Sequence, residues 1–153
     1  MNTTPQSYTV DLEWKKPYPS IDHDNEPFWE GLKEHKLLVW KCKQCSAVYW
    51  PKAYCQNHDN EPFAANCEWT EASGRGKIFA FNIHHWAFHP GFKEEVPYIY
   101  ALIELDEGPL ISSQLIDGNL PTDIHTVGQT VEVVYEDHPA QGFTLPKFRV
   151  VSE

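Results

Sequence analysis

The sequence predicts a mainly β fold in which a short helix and a small cysteine-bearing hairpin precede a five-stranded antiparallel barrel. The chain of 153 residues carries 12 prolines and 8 glycines and no long helical repeat, which favours short strands joined by turns. Closely spaced cysteines mark the hairpin, and five apolar or alternating segments follow it. A chain of this length corresponds to one domain, or to one domain with a small appendage.

The N-terminal half divides into an arm and a compact unit. Residues 1–23 are polar and interrupted by proline, which is typical of a flexible arm without a core of its own. A short helix is expected to begin within Asp24–Pro27, where polar capping residues stand beside a proline suited to a first helical turn. The apolar face of this helix would carry Phe28, Trp29 and Leu32. We therefore predict an arm over 1–23, a helix with a hairpin over 24–72 and a barrel over 73–153.

Two ligand pairs with two-residue spacers define the hairpin: Cys42 with Cys45, and Cys55 with His58. Each tight turn presents two donor atoms, and the returning strand brings both pairs to one ion. Thiolates at about 2.3 Å and an imidazole nitrogen at about 2.0 Å would close a four-coordinate structural zinc site with no open position. Cys67 is an alternative fourth ligand. A ribbon that has lost its metal is a further interpretation that the residues leave open.

The expected strands follow from apolar alternation and from turn residues. Leu37–Lys41 and Ala47–Trp50 flank the first cysteine pair, and Cys67–Glu71 adds a short strand. In the first barrel strand, Phe79, Phe81, Ile83 and His85 are predicted to share one face. The barrel strands are predicted at Lys77–Trp86, Tyr98–Asp106, Leu110–Leu115, Val131–Glu136 and Phe143–Val151.

Charge and hydropathy argue against two classes of partner. The formal net charge is −10, and ten acidic residues but no Lys or Arg lie between Glu94 and Asp137. Nucleic acids are bound mainly through Lys and Arg, so a free nucleic-acid-binding protein is disfavoured, and solubility is the simplest role of the acidic half. No apolar run approaches the roughly 20 residues of a membrane span, and we do not expect the polar start to be a signal peptide. We expect a cytoplasmic protein, where reduced cysteines favour metal binding over disulfides.

Motifs over residues 26 to 150 resemble the DUF35 family, in which a short helix and a rubredoxin-like zinc ribbon precede an OB-fold. The similar segments are Phe28–Leu32, Cys42 to Cys45, Trp50-Pro51, Cys55, Glu68-Trp69, Ser73–Gly76, His84-His85, Phe88–Pro90, Val96–Tyr98, Leu105–Pro109, Val131–Val133 and Thr144–Phe148. This chain departs from the family pattern at His58, where a fourth cysteine is usual.

The resemblance implies an indirect function. Members of this family are similar to accessory subunits of thiolase-superfamily enzymes, which include acetyl-CoA acetyltransferases, acyltransferases of aromatic ketone formation and thiolase-like aldolases that shorten steroid side chains. The thiolase-like partner supplies the catalytic groups, and the small subunit bridges catalytic subunits or lines the channel to the CoA thioester. Fold analogy alone does not choose among these reactions.

Cationic residues before the acidic half are candidates for contacts with CoA, whose phosphates need cationic or helix-terminus donors. Arg75 is the best single candidate, because its flanking glycines let a planar guanidinium stand clear of the backbone. Solvated surface side chains are the alternative for each of these residues. The other candidates are Lys33, Lys36 and Lys77.

A histidine-rich and aromatic segment is the second candidate contact region. His84, His85 and His89 lie close together and histidine is a common acid–base group in enzymes, but the loop-like sequence around His89 argues against helical spacing between them. A packing or interface loop is therefore preferred to a catalytic site. Phe88 and Phe92 are expected to be partly exposed and to mark a partner surface, with core packing as the alternative. The same ambiguity applies to Trp29, Trp40, Tyr98 and Tyr100.

The sequence contains no Gly-rich phosphate loop, no G-x-S-x-G and no H-E-x-x-H, and we assign no catalytic residue. We therefore expect a non-catalytic subunit of a thiolase-type complex acting on acyl-CoA. A free-standing acyl-CoA or lipid-metabolite binding module is the alternative, and a nucleic-acid-binding OB-fold ranks last.

Overall fold

The computed structural model describes residues 6–58, 66–116 and 127–151. One α-helix, α1, spans Glu26–Lys33. Nine strands are assigned in these ranges: β1 Gln6–Thr9, β2 Leu38–Cys42, β3 Val48–Tyr49, β4 Cys67–Glu71, β5 Arg75–His84, β6 Tyr98–Leu105, β7 Leu110–Leu115, β8 Thr130–His138 and β9 Phe143–Val150. Among the described residues, no helix is long and apolar enough to cross a membrane.

Strands β5 to β9 close into the predicted five-stranded barrel, but the barrel is mixed rather than purely antiparallel. The order is β5-β6-β7-β9, and β8 closes the ring by pairing with both β9 and β5. Four of these contacts are antiparallel, while β7 and β9 meet in parallel at Leu115 and Phe148. An odd number of strands in a closed ring cannot alternate direction all the way round. The prediction of an entirely antiparallel barrel was therefore wrong on geometric grounds.

A β-bulge in β5 changes which side chains face the core. The pairing of β5 with β6 shifts between Ile78 and Ala80. Ile78 is buried before the bulge, whereas Phe81 and Ile83 pack against the core after it. Phe79, which was predicted to share their face, is 51% exposed, because the extra residue of a bulge reverses the alternation of side chains.

Residues 6–18 lie on the barrel, whereas a flexible arm was expected over residues 1–23, of which 1–5 lie outside the described residues. Strand β1 pairs in parallel with the second half of β8, and the backbone N–H of Val10 donates to the carbonyl of Asp137 at 2.8 Å. Beyond β1, Trp14 packs edge-on against His138 and Phe143 with ring centroids 4.9 Å away in each case. We call residues 6–18 the N-terminal strap.

The strap also meets the loop that leaves β5. Gly91 lies against the backbone of the strap, and a Cβ atom at this position would overlap the carbonyl oxygen of Lys15. Lys16 pairs with Glu95 at 2.8 Å. A glycine is thus required here by a close approach of two backbone segments.

The helix and the hairpin form one layer against the barrel. Pro27 stands in the first turn of α1, as predicted, and the helix buries Phe28 and Leu32. Strand β2 lies between β3 and β4 in a three-stranded antiparallel sheet. The buried hydrophobic cluster is continuous from α1 and β2, through Leu32 and Val39, into the barrel at Ile103 and Phe148. The two predicted units therefore share a single core.

Candidate metal centre and flanking surfaces

The first knuckle, the turn that carries Cys42 and Cys45, is built by the end of β2 and the residues after it. The backbone N–H of Cys42 donates to the carbonyl of Ala47 at 2.9 Å, and that of Ser46 donates to Cys42 at 2.9 Å. Ser46 takes a left-handed conformation with φ of 64°, which lets the chain reverse within four residues. This reversal brings the Cys45 side chain to the same side as Cys42.

The second knuckle, the turn that carries Cys55 and His58, places its two donor atoms beside those of the first knuckle. In this turn, the N–H of His58 lies 3.4 Å from the carbonyl of Cys55. One ligand atom from each of Cys42, Cys45, Cys55 and His58 lies within 4.8 Å of the other three. The sulfurs of Cys45 and Cys55 are 3.5 Å apart, close to the roughly 3.8 Å that two thiolates span on a tetrahedral zinc.

The donor set fits zinc on two further observations. The Nε2 atom of His58 is buried and has no hydrogen-bond partner, which is costly unless a metal or another group occupies the space in front of it. Three thiols and one imidazole are the soft and borderline donors that zinc prefers. A zinc ion bound here would cross-link the two knuckles and leave no open coordination position.

The surroundings of Cys45 and Cys55 shift the pKa values of their thiols in opposite directions. The side-chain amide of Asn57 donates to Cys45 at 3.4 Å, and this bond is the main reason that the pKa of the exposed Cys45 thiol is lowered to about 6. At Cys55 the Tyr49 hydroxyl donates at 3.5 Å and lowers the pKa, but desolvation and the Cys45 and Cys42 thiols outweigh it, so the pKa is raised. Cys45 is thus the most readily ionised thiol of this pair.

Cys67 lies beside the metal group but outside it. It stands directly opposite Cys42 in the pairing of β2 with β4. Desolvation, followed by the nearby Cys42 thiol, raises its pKa. The four donors that meet at one point include His58 and not Cys67.

The histidine-rich and aromatic candidates gather at the end of β5 and in the loop that follows it. His84 stacks on Tyr98 with ring centroids 4.9 Å apart, and Phe92 lies 5.5 Å from Tyr98. The Nδ1 atom of His89 accepts a 3.0 Å hydrogen bond from the N–H of Gly91, so this histidine orders the loop. His85 is exposed.

Two large side chains of this loop face solvent. Trp86 is 71% exposed and Phe88 is 84% exposed. Isolated exposed apolar residues are common, but two such large side chains two positions apart on one loop mark a candidate partner surface. We call residues 85–92 the aromatic loop.

The cationic candidates lie apart from the aromatic loop. Arg75 and Lys77 are exposed at the start of β5, whereas His84 ends that strand, so about 23 Å of extended chain separates Lys77 from His84. Lys33 and Lys36 pair with neighbouring glutamates, at 3.0 Å to Glu30 and 3.5 Å to Glu34. The structure therefore does not bring the seven predicted contact residues into one site.

A buried polar cluster beneath the strap was missed by sequence reasoning. Glu136, the last residue of the strand predicted at Val131–Glu136, is only 9% exposed. Its carboxylate accepts a short hydrogen bond from the Tyr8 hydroxyl and another contact, at 2.7 Å, from His138 Nε2. Desolvation would raise the pKa of Glu136, but the charge of Lys147 and these hydrogen bonds lower it overall. The alternation of Tyr8 and Val10 was the available signal that a strand covers this face.

A cavity of about 440 Å³ adjoins this cluster between the strap and the aromatic loop. Its walls include Trp14, Gly91, Glu95, Glu136 and His138.

Comparison with known proteins identifies both parts of the fold. Residues 29–59 match the model of the "ChsH2, rubredoxin-like zinc ribbon domain", and residues 69–136 match that of the "ChsH2, C-terminal OB-fold domain". These matches and the clustered donors confirm the predicted structural zinc, whereas the identity of each ligand stays a prediction.

The fold and the metal group define a protein with a zinc ribbon and an OB-fold. A "DUF35 domain-containing scaffold protein" of Methanocaldococcus jannaschii is 33% identical over 109 residues, covering 70% of this chain and 73% of that protein. The chain belongs to the DUF35 family, as its motifs predicted.

Other relatives are longer than this chain. A "Probable enoyl-CoA hydratase alpha subunit" of Thermomonospora curvata is 31% identical over 136 residues, which cover 88% of this chain but 40% of that protein. A "3-oxo-4,17-pregnadiene-20-carboxyl-CoA hydratase alpha subunit" of Mycobacterium tuberculosis is 31% identical, with 79% and 36% covered. This chain thus spans about two fifths of the length of these two relatives.

Solved structures agree with the fold. A chain of the "Ltp2-ChsH2(DUF35) aldolase" superposes with a TM-score of 0.72 at 28% identity, covering 87% of this chain and 98% of that one. A DUF35-family protein of unknown function from Sulfolobus solfataricus superposes with a TM-score of 0.54 at 20% identity, which shows a common fold alone.

Proposed function

We propose that this chain is a non-catalytic accessory subunit of a cytoplasmic multi-subunit complex that acts on acyl-CoA thioesters. The observation that carries the proposal is the superposition on nearly the whole of a DUF35 chain from a two-component aldolase. Two further relatives are named as subunits of CoA-ester hydratases, and three are named as scaffold proteins. Aldol cleavage, hydration and acyl condensation are the reaction classes that these relatives and the family resemblance suggest.

We further propose a division of labour along the chain. The helix and ribbon over residues 24–72 form a scaffold, in which Cys42, Cys45, Cys55 and His58 hold the zinc. The barrel over 73–153 carries the aromatic loop, whose exposed Trp86 and Phe88 suit docking to a catalytic subunit with a thiolase-like fold. Arg75 and Lys77 lie too far from this loop to act with it and would contact a CoA phosphate or a second subunit.

Purification of the tagged chain from its native host tests the assembly. We expect a thiolase-superfamily protein, identified by mass spectrometry, to co-purify in fixed stoichiometry and to lose solubility or activity without this chain. Recovery of the chain alone, or only with enzymes that do not act on CoA esters, would refute the proposal.

Variants of the aromatic loop test the docking surface within that complex. Truncating a well-packed interface aromatic costs about 2 kcal/mol or more, so Phe88→Ser and Trp86→Ser should each weaken binding of the catalytic subunit at least about 30-fold. Leu12→Ser is the matched control, because Leu12 is comparably exposed, at 74%, but lies on the strap. If all three variants bind the catalytic subunit with equal affinity, this loop is not part of the interface.

The alternative function, a free-standing acyl-CoA binding module, predicts a different result. Isothermal titration of the isolated chain with acetyl-CoA and a longer acyl-CoA should then give a micromolar dissociation constant without any partner protein. The accessory-subunit proposal predicts no heat of binding at these concentrations.

A further inference from the structure

The position of Cys67 suggests a covalent role for a thiol that the metal group does not use. Cys67 on β4 is the direct partner of Cys42 on β2. The N–H of Lys43 donates to the carbonyl of Asn66 at 2.7 Å, which makes the neighbouring pair a hydrogen-bonded one. Hydrogen-bonded and non-hydrogen-bonded pairs alternate in an antiparallel ladder, so Cys42 and Cys67 form a non-hydrogen-bonded pair.

That register has the dimensions of a disulfide. Residues of a non-hydrogen-bonded pair have Cα atoms about 4.5 Å apart, within the roughly 4.4–6.8 Å that disulfides span. The two thiols also influence each other, because the Cys42 thiol contributes, after desolvation, to the raised pKa of Cys67. Cys42 is fully buried, whereas Cys67 is partly exposed and gives a small oxidant access to the pair.

The remaining two thiols form a second close pair. The sulfurs of Cys45 and Cys55 lie 3.5 Å apart, on the exposed side of the ribbon. The four cysteines of the chain are therefore arranged as two facing pairs, each of which joins different segments of the ribbon.

We propose that Cys67 is a site of oxidative modification, at which a hydroperoxide converts the ribbon into a form with Cys42–Cys67 and Cys45–Cys55 disulfides. In each pair one sulfur attacks the O–O bond, becomes a sulfenic acid and releases water or an alcohol. The partner thiol then attacks the sulfenic sulfur, the S–S bond forms and a second water leaves. Formation of each disulfide thus transfers two electrons from a pair of thiols to one hydroperoxide.

The oxidised ribbon can no longer hold zinc. A disulfide sulfur has lost the negative charge that makes a thiolate a metal ligand, so three of the four donors are removed and His58 alone remains. The new Cys42–Cys67 link joins β2 to β4, and Cys45–Cys55 joins the two knuckles. The disulfides therefore replace the connection that the metal provided, and the ribbon keeps its fold.

Peptide mapping of the oxidised wild-type chain tests the pairing. The zinc-loaded protein and a chelator-treated sample would each be exposed to two equivalents of hydrogen peroxide, blocked with an alkylating agent and digested without reduction. Cleavage after Lys and Arg and before Asp places the four cysteines in separate peptides. We expect a loss of about 4 Da, both predicted cross-links, release of zinc to a chromogenic chelator and reversal by dithiothreitol.

The Cys67→Ser variant supplies the decisive comparison, with Glu68→Gln on the same strand as its control. We expect Cys67→Ser to lose only about 2 Da and to leave the Cys42 thiol free for alkylation, while the control behaves as wild type. An unmodified Cys67 in the oxidised wild-type chain, or Cys42 joined to Cys45 or Cys55, would overturn the proposal. This outcome is independent of the proposed partner, because the isolated chain is used throughout.

Discussion

At the scale of single residues, His58 decides whether the ribbon keeps a complete metal site. Its Nε2 is buried without a hydrogen-bond partner, and three thiols converge on the same point. A cysteine at this position would instead offer a thiolate from the same turn. The histidine therefore preserves the number of donors while lowering the negative charge of the site by one.

Substitutions of His58 test whether the fourth position must be an imidazole or can be another metal ligand. We expect His58→Cys to retain one zinc per chain and His58→Ala to lose affinity by more than the roughly 10- to 100-fold that follows when a residue merely orienting a ligand is changed. Competition with a chromogenic chelator measures both affinities. His85→Ala, at an exposed histidine, should match wild type. If His58→Ala binds zinc with the full affinity of the wild type, the fourth ligand is another donor such as Cys67.

Glu136 is the second residue with a consequence for the whole chain. It is ionised in a buried setting because Lys147, Tyr8 and His138 surround its carboxylate. Lys147 is itself 8% exposed, and desolvation lowers its pKa against the opposing effect of Glu136. Each of the two charges thus depends on the other for compensation.

The lowered pKa of Glu136 predicts a specific acid sensitivity. Its ionised form is favoured in the folded state, so this contribution is complete above its ordinary pKa of 4.5 and is lost as the pH falls through the lower folded value. Glu136→Gln should lower the free energy of unfolding at pH 7, but by less than the roughly 3–5 kcal/mol of a broken buried ion pair, because Glu95 still acts on Lys147. It should also flatten the dependence of stability on pH below 4.5.

Denaturant unfolding between pH 3 and pH 7 measures this change, with the exposed Glu104→Gln as the control. A Glu136→Gln variant with the full acid dependence of the wild type would contradict the assignment.

At the scale of elements, the N-terminal strap is the feature with the clearest mechanical role. β1 extends the sheet along the half of β8 that β5 does not cover, and Trp14 closes the strap over His138 and Phe143. The strap thereby buries the polar cluster around Glu136 and fixes the aromatic loop through Gly91.

Removal of the Trp14 ring should release the strap without unfolding the barrel. We expect Trp14→Ala to cost about 2–3 kcal/mol, below the full value for a buried tryptophan because the ring is only half buried. Hydrogen exchange at the Val10 amide, which bonds to Asp137, should accelerate in this variant. Leu12→Ala, at an exposed strap residue, should leave that amide protected. Unchanged protection in Trp14→Ala would show that β1 pairing holds the strap alone.

Elements with local signals were predictable from the sequence, and those set by distant contacts were not. The knuckles, the helix with Pro27 and strand β7 at Leu110–Leu115 follow from residues a few positions apart. β1 was missed because its partner β8 lies more than 120 residues away. The side chain of Phe79 was placed on the wrong face, because a bulge cannot be recognised in a sequence pattern of period two. The ligand pairs were visible in their spacing, whereas the alignment of Cys67 with Cys42 required the strand register.

At the scale of the whole molecule, the ribbon and the barrel depend on one core. Leu32 of α1 is fully buried in the same cluster as Phe148 of β9. His35 reinforces this junction, since it follows the helix and contacts the Asp137 carboxylate of β8 at 2.9 Å. The helix, the ribbon and the barrel are thus joined by a continuous buried core.

The shared core predicts a single unfolding transition. Leu32→Ala should cost about 2–5 kcal/mol and should shift the tryptophan fluorescence and the far-UV circular dichroism together. The control Leu110→Ala, at a side chain 37% exposed, should change stability much less. Two separate transitions, with only the ribbon responding to Leu32→Ala, would establish independent domains.

The pairing of β1 with β8 also sets an order of events during synthesis. The Gln6–Thr9 segment that becomes β1 leaves the ribosome before the strand that receives it, Thr130–His138, which is made more than 120 residues later. Contacts of such long range form slowly, and translation delays them further. The Gln6–Thr9 segment therefore stays without its partner strand during synthesis until β8 has been made.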